Sequence, residues 1–158
     1  MSKKKLRVAI DCDDAAIGLK DAVHEAIQAR QDVEVVDLGY QQKHEGHYPD
    51  VGYHLAQRIQ SGEFDRGILM CGTGLGMAII ANKVEGVYAG VCHDVYSAQR
   101  LQLSNNAQVL TMGARVVGTE LAKTIVGAWL DCKYAGGRST AKVEKIGQLE
   151  HQSFHAKR

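Results

Sequence analysis

The sequence predicts an α/β fold, a doubly wound, five-stranded parallel sheet in three layers with helices on both faces. Three observations carry that expectation. Five short apolar runs alternate along the chain with segments of helical apolar spacing, the pattern of strand–crossover–strand units. A glycine-rich turn, Cys71-Gly72-Thr73-Gly74-Leu75-Gly76, joins one of these runs to a helix-period segment. Polar residues, among them Asp13, Asp14, Tyr40, Cys71, His93 and Arg115, fall directly after strand ends. Right-handed crossovers fold such a chain into a Rossmann-like sheet, whose ligands sit beyond the carboxyl ends of its strands.

The elements follow in order. Leu6–Ile10 reads as the first strand and ends at Asp11-Cys12-Asp13-Asp14. Ala15 to Arg30 carries Ile17, Leu19, Val23, Ala26 and Ile27 at helical spacing. Val33–Val36 is a second strand, ending at Asp37-Leu38-Gly39-Tyr40, and a polar loop from Gln41 to His47 follows. Pro49 sits where the first turn of a helix accepts proline, and that helix continues from Val51 to Gln60. Gly67–Met70 is the third strand, entering the glycine turn, and Met77–Lys83 the helix that leaves it. Val87–Val91 is the fourth strand, followed by a helix over Val95–Leu103. Gln108–Met112 is the fifth strand, and Gly118–Leu130 an amphipathic helix. Gly136-Gly137 breaks the chain before a charged terminal helix and tail, Arg138 to Gln152 onward.

Composition bounds the partners. A chain of 158 residues with 45% hydrophobic and 23% charged residues is expected to form one soluble globular domain spanning its whole length. The formal net charge of +1 points to neither nucleic acid nor membrane. Lys3-Lys4-Lys5 leads straight into a strand, so neither a signal peptide nor a membrane span is read here. The four cysteines, at 12, 71, 92 and 132, lack C-x-x-C spacing. Neither a zinc site nor a redox pair is therefore expected, and no metal or cofactor. Reduced thiols in a cytoplasmic protein are the simplest reading.

The central turn has the parts that proton-transfer chemistry needs. Glycines let backbone approach a ligand, and N–H groups at a helix start favour an anion. The turn lacks the Lys-Ser/Thr ending of a nucleoside-triphosphate loop and opens with a cysteine near a threonine hydroxyl. A base beside an oxyanion-binding turn serves proton-transfer or acyl-transfer chemistry. The plain alternatives are a turn that only tightens strand–helix packing and a cysteine buried as a small hydrophobe.

With these residues placed, the chain resembles the family of type-B ribose-5-phosphate isomerase and galactose-6-phosphate isomerase nearly end to end. The resemblance rests on Cys71–Gly76 with Ala81-Asn82-Lys83, Tyr96-Ser97-Ala98, Asn105-Asn106-Ala107, Gly113–Gly118 and Gly136-Gly137-Arg138. It implies interconversion of aldose and ketose phosphates through an enediolate, with no cofactor. In its light Cys71 is the base between C1 and C2, while Thr73 and the amides of Gly72, Gly74 and Gly76 receive the developing oxyanion. A thiol starts near pKa ~8.5 and can be lowered at a helix N-terminus. Asp13 corresponds to an aspartate that hydrogen-bonds sugar hydroxyls, although a helix N-cap would use the same residue. Arg115 and Arg138 stand at phosphate-binding positions, and Lys142 replaces a second arginine, keeping charge but losing its fork. Tyr40 and Asn105 complete the expected substrate-binding set.

The resemblance breaks at two positions. The family has histidines where this chain has Asp14 and Ser104. The first helps bind substrate; the second assists opening of the cyclic sugar, which serine cannot do efficiently near neutral pH. A tetrose 4-phosphate cannot close the usual furanose, because its O4 carries the phosphate, so the missing ring-opening group would not matter for it. The expected function is therefore an aldose–ketose isomerase of a short acyclic sugar phosphate, with erythrose 4-phosphate as the example. An isomerase of an unphosphorylated sugar, or a non-catalytic subunit of a hetero-oligomeric isomerase, remains open. A flavodoxin-like module would share the fold but not the cysteine turn or the arginine pair. The resemblance also implies a homodimer or homotetramer whose sites are shared, with the Ser104–Arg115 segment facing a partner's Cys71 turn. The Gly118–Leu130 helix and the C-terminal segment are expected to bury apolar surface between the chains.

Overall fold

The strands alternate buried apolar side chains between two faces, and this alternation decides where every helix goes. The structure, a computed structural model, describes residues 3–157. In chain order the elements are β1 (Leu6–Cys12), α1 (Ile17–Gln28), β2 (Val33–Asp37), α2 (Tyr40–Lys43) and α3 (Tyr48–Gln60). They continue with β3 (Arg66–Cys71), α4 (Leu75–Ala81), β4 (Ala89–Val91), α5 (Val95–Leu103), β5 (Val109–Gly113), α6 (Thr119–Asp131) and α7 (Thr140–Phe154). All pairings are parallel, and the strand order is β2-β1-β3-β5-β4.

Val8, Ile10 and Cys12 of β1, Ile68 and Met70 of β3, and Leu110 and Met112 of β5 point to one face. They meet α1, α5 and α6 through Leu19, Val23, Ile27, Ala98, Leu101, Ile125 and Trp129. Ala9, Leu69, Cys71 and Val109 point to the other face, against Val51, Leu55 and Ile59 of α3 and Met77 and Ala81 of α4. Burial on both sides is what a parallel sheet requires.

The register places the functional end. Cys12 pairs with Met70, and Cys71 with Gly113, so β1, β3 and β5 finish almost level. The chain leaves β1 toward β2 on one side of the sheet and leaves β3 toward β4 and β5 on the other. The connections after β1 and β3 therefore diverge, and the crevice at this switch point is where ligands bind in such sheets.

Several boundaries differ from the sequence expectation for local reasons. β1 runs two residues further, so Asp11 lies inside it at 1% exposure. The helix after β1 opens with a 3-10 turn, Asp14–Ala16, because the Asp13 carboxylate accepts the Ala15 N–H at 3.0 Å. The expected polar loop contains the short helix α2, whose first N–H, from Tyr40, donates to Asp11 Oδ2 at 3.1 Å. β4 is shorter than expected, as Val87 and Tyr88 leave the ladder. On α6, Ala122, Ile125, Val126 and Trp129 pack within the chain at 1% exposure or less, while Leu121 stands 45% exposed. No helix among the described residues is long and apolar enough to cross a membrane.

Candidate active site

The end of β3 sets the site. All six residues of β3 are buried, and Cys71 is the last of them. Its sulfur accepts the Gly74 N–H at 3.1 Å, so the thiol is held under the turn that follows it. Gly74 has φ +79°, and a Cβ there would lie 2.8–2.9 Å from the Met112 backbone. A Cβ on Gly113 would meet Thr73 Cα at 2.5 Å. Both glycines are required because two turns lie back to back, stitched by Ala114 N–H to the Cys71 carbonyl (2.9 Å) and Arg115 N–H to the Gly72 carbonyl (3.0 Å). Thr111 Oγ1 adds a buried hydrogen bond to the Gly74 carbonyl at 2.9 Å.

Thr73 is exposed, and its hydroxyl accepts the Leu75 N–H at 3.3 Å. Gly76 is the second residue of α4 and lies under the ring of Tyr48; a Cβ on Gly76 would lie 2.3 Å from that ring. Tyr48 was not among the expected site residues, and only the fold brings it here. Arg115 is exposed and lays its guanidinium over Gly72, where an added Cβ would meet Nη1 at 3.3 Å. Sulfur and hydroxyl thus belong to the turn after β3, and the guanidinium reaches it from the turn after β5.

The end of β1 supplies the neighbouring wall. Asp13 N–H donates to the Met70 carbonyl at 3.2 Å, which fixes Asp13 beside the Cys71 turn. Burial pushes the Asp13 carboxyl up from its ordinary value, while the Ala15 N–H and the charge of Arg115 oppose that shift. The residue therefore serves as a helix cap and also feels Arg115. Asp14 is exposed at the start of the 3-10 turn. A cavity of about 160 Å³ opens here, lined by Asp11, Asp13, Asp14, Lys20, Gln41 and Gln42, among others. Lys20 is 2% exposed and pairs with Asp37 at 2.6 Å. The Tyr40 ring packs between His44 and His54, with centroids at 4.6 and 4.7 Å, and the cavity is lined by the glutamines that follow it. Lys20, Gln41 and Gln42 escaped the sequence reading because Lys20 occupies a helix position that looks solvated.

The remaining expected residues lie further out. Ser104 caps the C-terminus of α5, and its hydroxyl accepts a hydrogen bond from Arg100 Nη2. Asn105 is exposed, with its amide 3.4 Å from the Arg100 carbonyl. His93 accepts the Gly113 N–H on Nε2 at 3.0 Å, which places the ring proton on Nδ1. Arg138 and Lys142 stand exposed at the start of the C-terminal segment. Among the described residues that segment bonds back to the chain through Glu150, His151 and His155 at Gly86 and Glu85; Arg138 and Lys142 make no hydrogen bond to the Cys71 turn. The structure brings Cys71, Thr73, Gly72, Gly74, Gly76, Asp13 and Arg115 together, and leaves Asn105, Arg138 and Lys142 apart from them.

The chain is similar to known proteins over nearly its whole length. Residues 8–146 match the family model described as Ribose/Galactose Isomerase. A D-erythrulose-4-phosphate isomerase of Pectobacterium atrosepticum is 54% identical over 95% of this chain and 99% of its own length. D-erythrulose-4-phosphate isomerase 2 of Mycolicibacterium smegmatis is 46% identical over 92% of this chain and 97% of its own. Among solved structures, ribose-5-phosphate isomerase B of Clostridium thermocellum superposes with a TM-score of 0.87 at 40% identity, covering 94% of this chain and 99% of that one. The chain belongs to the ribose/galactose isomerase family of sugar-phosphate isomerases.

Proposed function

We propose that this protein interconverts an aldose and a ketose tetrose 4-phosphate, erythrose 4-phosphate and erythrulose 4-phosphate, with Cys71 as the base. The observation that carries the reading is the held sulfur: Cys71 Sγ sits under the Gly74 N–H at 3.1 Å, in a turn that also presents Thr73 and that Arg115 overlies from the adjoining turn. From aldose to ketose the thiolate takes the C2 proton, and an enediolate forms with its charge on O1. The proton then returns to C1, while the O2 proton passes to O1. Donors from the Thr73 hydroxyl and the Gly72 and Gly76 amides stabilise the enediolate oxygen, a contribution of about 3 kcal/mol where one such donor is well placed, while the Gly74 N–H is held by the Cys71 sulfur. Asp13 orients a sugar hydroxyl, and Arg115 attracts the phosphate.

The tetrose assignment is supported by Ser104 and by the names of the similar isomerases. The Ser104 hydroxyl is bound to Arg100, and serine is a poor acid–base group near neutral pH. A ring-closed pentose phosphate would lack help in opening, whereas a tetrose 4-phosphate has no furanose to open. Asn105, Arg138 and Lys142, which stand apart from the Cys71 turn, would act on a second copy's substrate in a homodimer. Exposed apolar residues that such a dimer could cover are Leu75 and Ile79 on α4, at 57% and 63% exposure, together with Tyr96 and Val116.

The test compares kcat/KM for erythrose 4-phosphate and ribose 5-phosphate in the unmodified protein and in Ser104→His. The unmodified protein should prefer the tetrose by at least about tenfold, or 1.4 kcal/mol. Ser104→His should raise turnover of ribose 5-phosphate selectively. Equal or better use of ribose 5-phosphate by the unmodified protein would overturn the assignment. Sedimentation at working concentration checks the dimer, and a fully active monomer would remove it.

A further inference from the structure

A second cluster of chemically capable side chains lies on α7, outside the site described above. His151 and His155 are one helical turn apart, with ring centroids 4.2 Å from each other. Both face Glu85, in the connection between α4 and β4. His151 Nδ1 lies 2.9 Å from Glu85 Oε1, and His155 Nε2 lies 3.2 Å from Oε1 and 3.0 Å from Oε2. Among the described residues these are the only three His, Cys, Asp or Glu side chains whose donor atoms all lie within 4.8 Å of one another.

From this arrangement we infer that Glu85, His151 and His155 form a site for a divalent transition-metal ion of zinc type, which clamps α7 to the body of the chain. Two imidazole nitrogens and one carboxylate oxygen are a borderline donor set; it suits Zn²⁺ and excludes a preference for Mg²⁺ or Ca²⁺, which take oxygen ligands. A tetrahedral ion with bonds near 2.0–2.1 Å needs its donors about 3.4 Å apart. The His–Glu separations of 2.9–3.2 Å are a few tenths of an ångström short of that, and the two imidazole nitrogens lie within 4.8 Å of each other. Water would fill the fourth position, since both imidazoles stand toward solvent, at 69% and 56% side-chain exposure.

Other contacts hold the donors in register before any ion arrives. Glu150 Oε2 accepts the Gly86 N–H at 3.0 Å, and a Cβ on Gly147 would lie 3.2 Å from the Tyr88 hydroxyl. A clamp matters because α7 has no buried residue of its own; Ile146, Leu149 and Phe154 are each about half exposed. The helix also begins just after Arg138 and carries Lys142 in its first turn. An ion at its far end would order the segment that bears both cations. The histidine pair is visible in the sequence, but its partner is separated from His151 by 66 positions.

The experiment titrates Zn²⁺ into the chelator-stripped full chain by calorimetry, and Co²⁺ by absorption. Hydrogen exchange of α7 is then measured with and without Zn²⁺. The expected result is one equivalent bound per chain with Kd on the order of 10 µM or tighter, and slower exchange in α7. The Co²⁺ spectrum should lack thiolate charge transfer. His151→Ala/His155→Ala should weaken binding at least tenfold and abolish the added protection, with turnover of the metal-free enzyme unchanged. The inference is overturned by absence of binding in the unmodified chain, by equal binding in the double variant, or by thiolate bands that place the ion on cysteine.

Discussion

The ends of β1 and β3 lie side by side in the sheet, and each closes on a cysteine, yet the two are built for different work. Cys12 points into the layer of α1 and α6, and Cys71 into the layer of α3 and α4. Burial pushes the Cys12 thiol up to about 12; Asp11, Asp13 and Asp37 add to that shift and Lys20 opposes it. Cys71 instead meets a backbone N–H from the glycine turn. The β1 end keeps its polar groups on one another: Asp11 on the Cys12 and Tyr40 amides, Asp13 on Ala15, Lys20 on Asp37. The difference teaches that residue type alone does not set a thiol's surroundings. What matters is the glycine spacing that lets donors reach the sulfur. The β3 end should therefore govern proton transfer and the β1 end should govern binding.

The sharpest way to break this division is to delete each cysteine. Cys71→Ala should lower kcat/KM for the tetrose phosphate by at least about 10³-fold, or roughly 4 kcal/mol, with the far-UV circular dichroism unchanged. Cys12→Ala should leave kcat/KM within a few-fold. Comparable losses at both positions would abolish the distinction, and more than about a tenth of the activity in Cys71→Ala would point to another base.

Alkylation at pH 8, followed by peptide mass spectrometry, asks the same question without mutation. A thiol at about 12 is thiolate to about one part in 10⁴ at that pH, and Cys92, which burial pushes up to about 11, to about one part in 10³. Label should appear at Cys71 and the half-buried Cys132 while Cys12 and Cys92 remain unmodified. Substrate should protect Cys71 alone. Early modification of Cys12 would contradict the burial argument.

Gly113→Ala perturbs the turn from behind. Its Cβ would have to displace Thr73 by several tenths of an ångström, moving the donors around Cys71 while the thiol stays in place. Misplacement on the scale of 1 Å can cost about 10²-fold, so kcat should fall about 10–100-fold with a smaller change in KM. Overpacking of this kind also lowers stability by about 1–3 kcal/mol, to be read from denaturant unfolding. A kcat unchanged within twofold would show that the turn has slack.

Much of this arrangement was legible in the sequence, because the signals were local. Apolar runs and helical spacing located all five strands, and the helix over Val95–Leu103 has the expected bounds. The glycine turn was legible since its φ and close-contact demands fall on Gly74 itself. Contacts made across the sheet were not. Tyr48 over Gly76, Arg115 over Gly72 and His93 on Gly113 depend on parallel register, which sequence spacing does not encode. The 3-10 turn after Asp13 was missed because the aspartate suited both a sugar contact and a helix cap. On α6, Ile125 and Trp129 are buried within the chain and Leu121 is exposed, a split the sequence did not reveal, since amphipathicity marks an apolar face without naming what buries it.

The smallest expected effect comes from Asp14, and it tests whether the β1 end is confined to binding. Asp14 is exposed at the mouth of the cavity that Asp11, Asp13 and Lys20 also line. Its carboxylate repels an approaching phosphate dianion, but water and salt screen an exposed charge, so the penalty is about 1 kcal/mol or less. Asp14→Asn removes that charge and keeps the size and the helix-start chemistry of the side chain. KM for erythrose 4-phosphate should fall up to about fivefold at low ionic strength, and the difference should shrink as salt is added. The kcat should stay within twofold, because Asp14 takes no part in moving the proton between C1 and C2. Asp14→His, which introduces the histidine expected from the family resemblance, should favour phosphate binding further without creating ribose 5-phosphate activity, since Ser104 still leaves the ring unopened. A tenfold drop in kcat with KM unchanged would mean that Asp14 shares in the chemistry, and the division between the two strand ends would have to be redrawn.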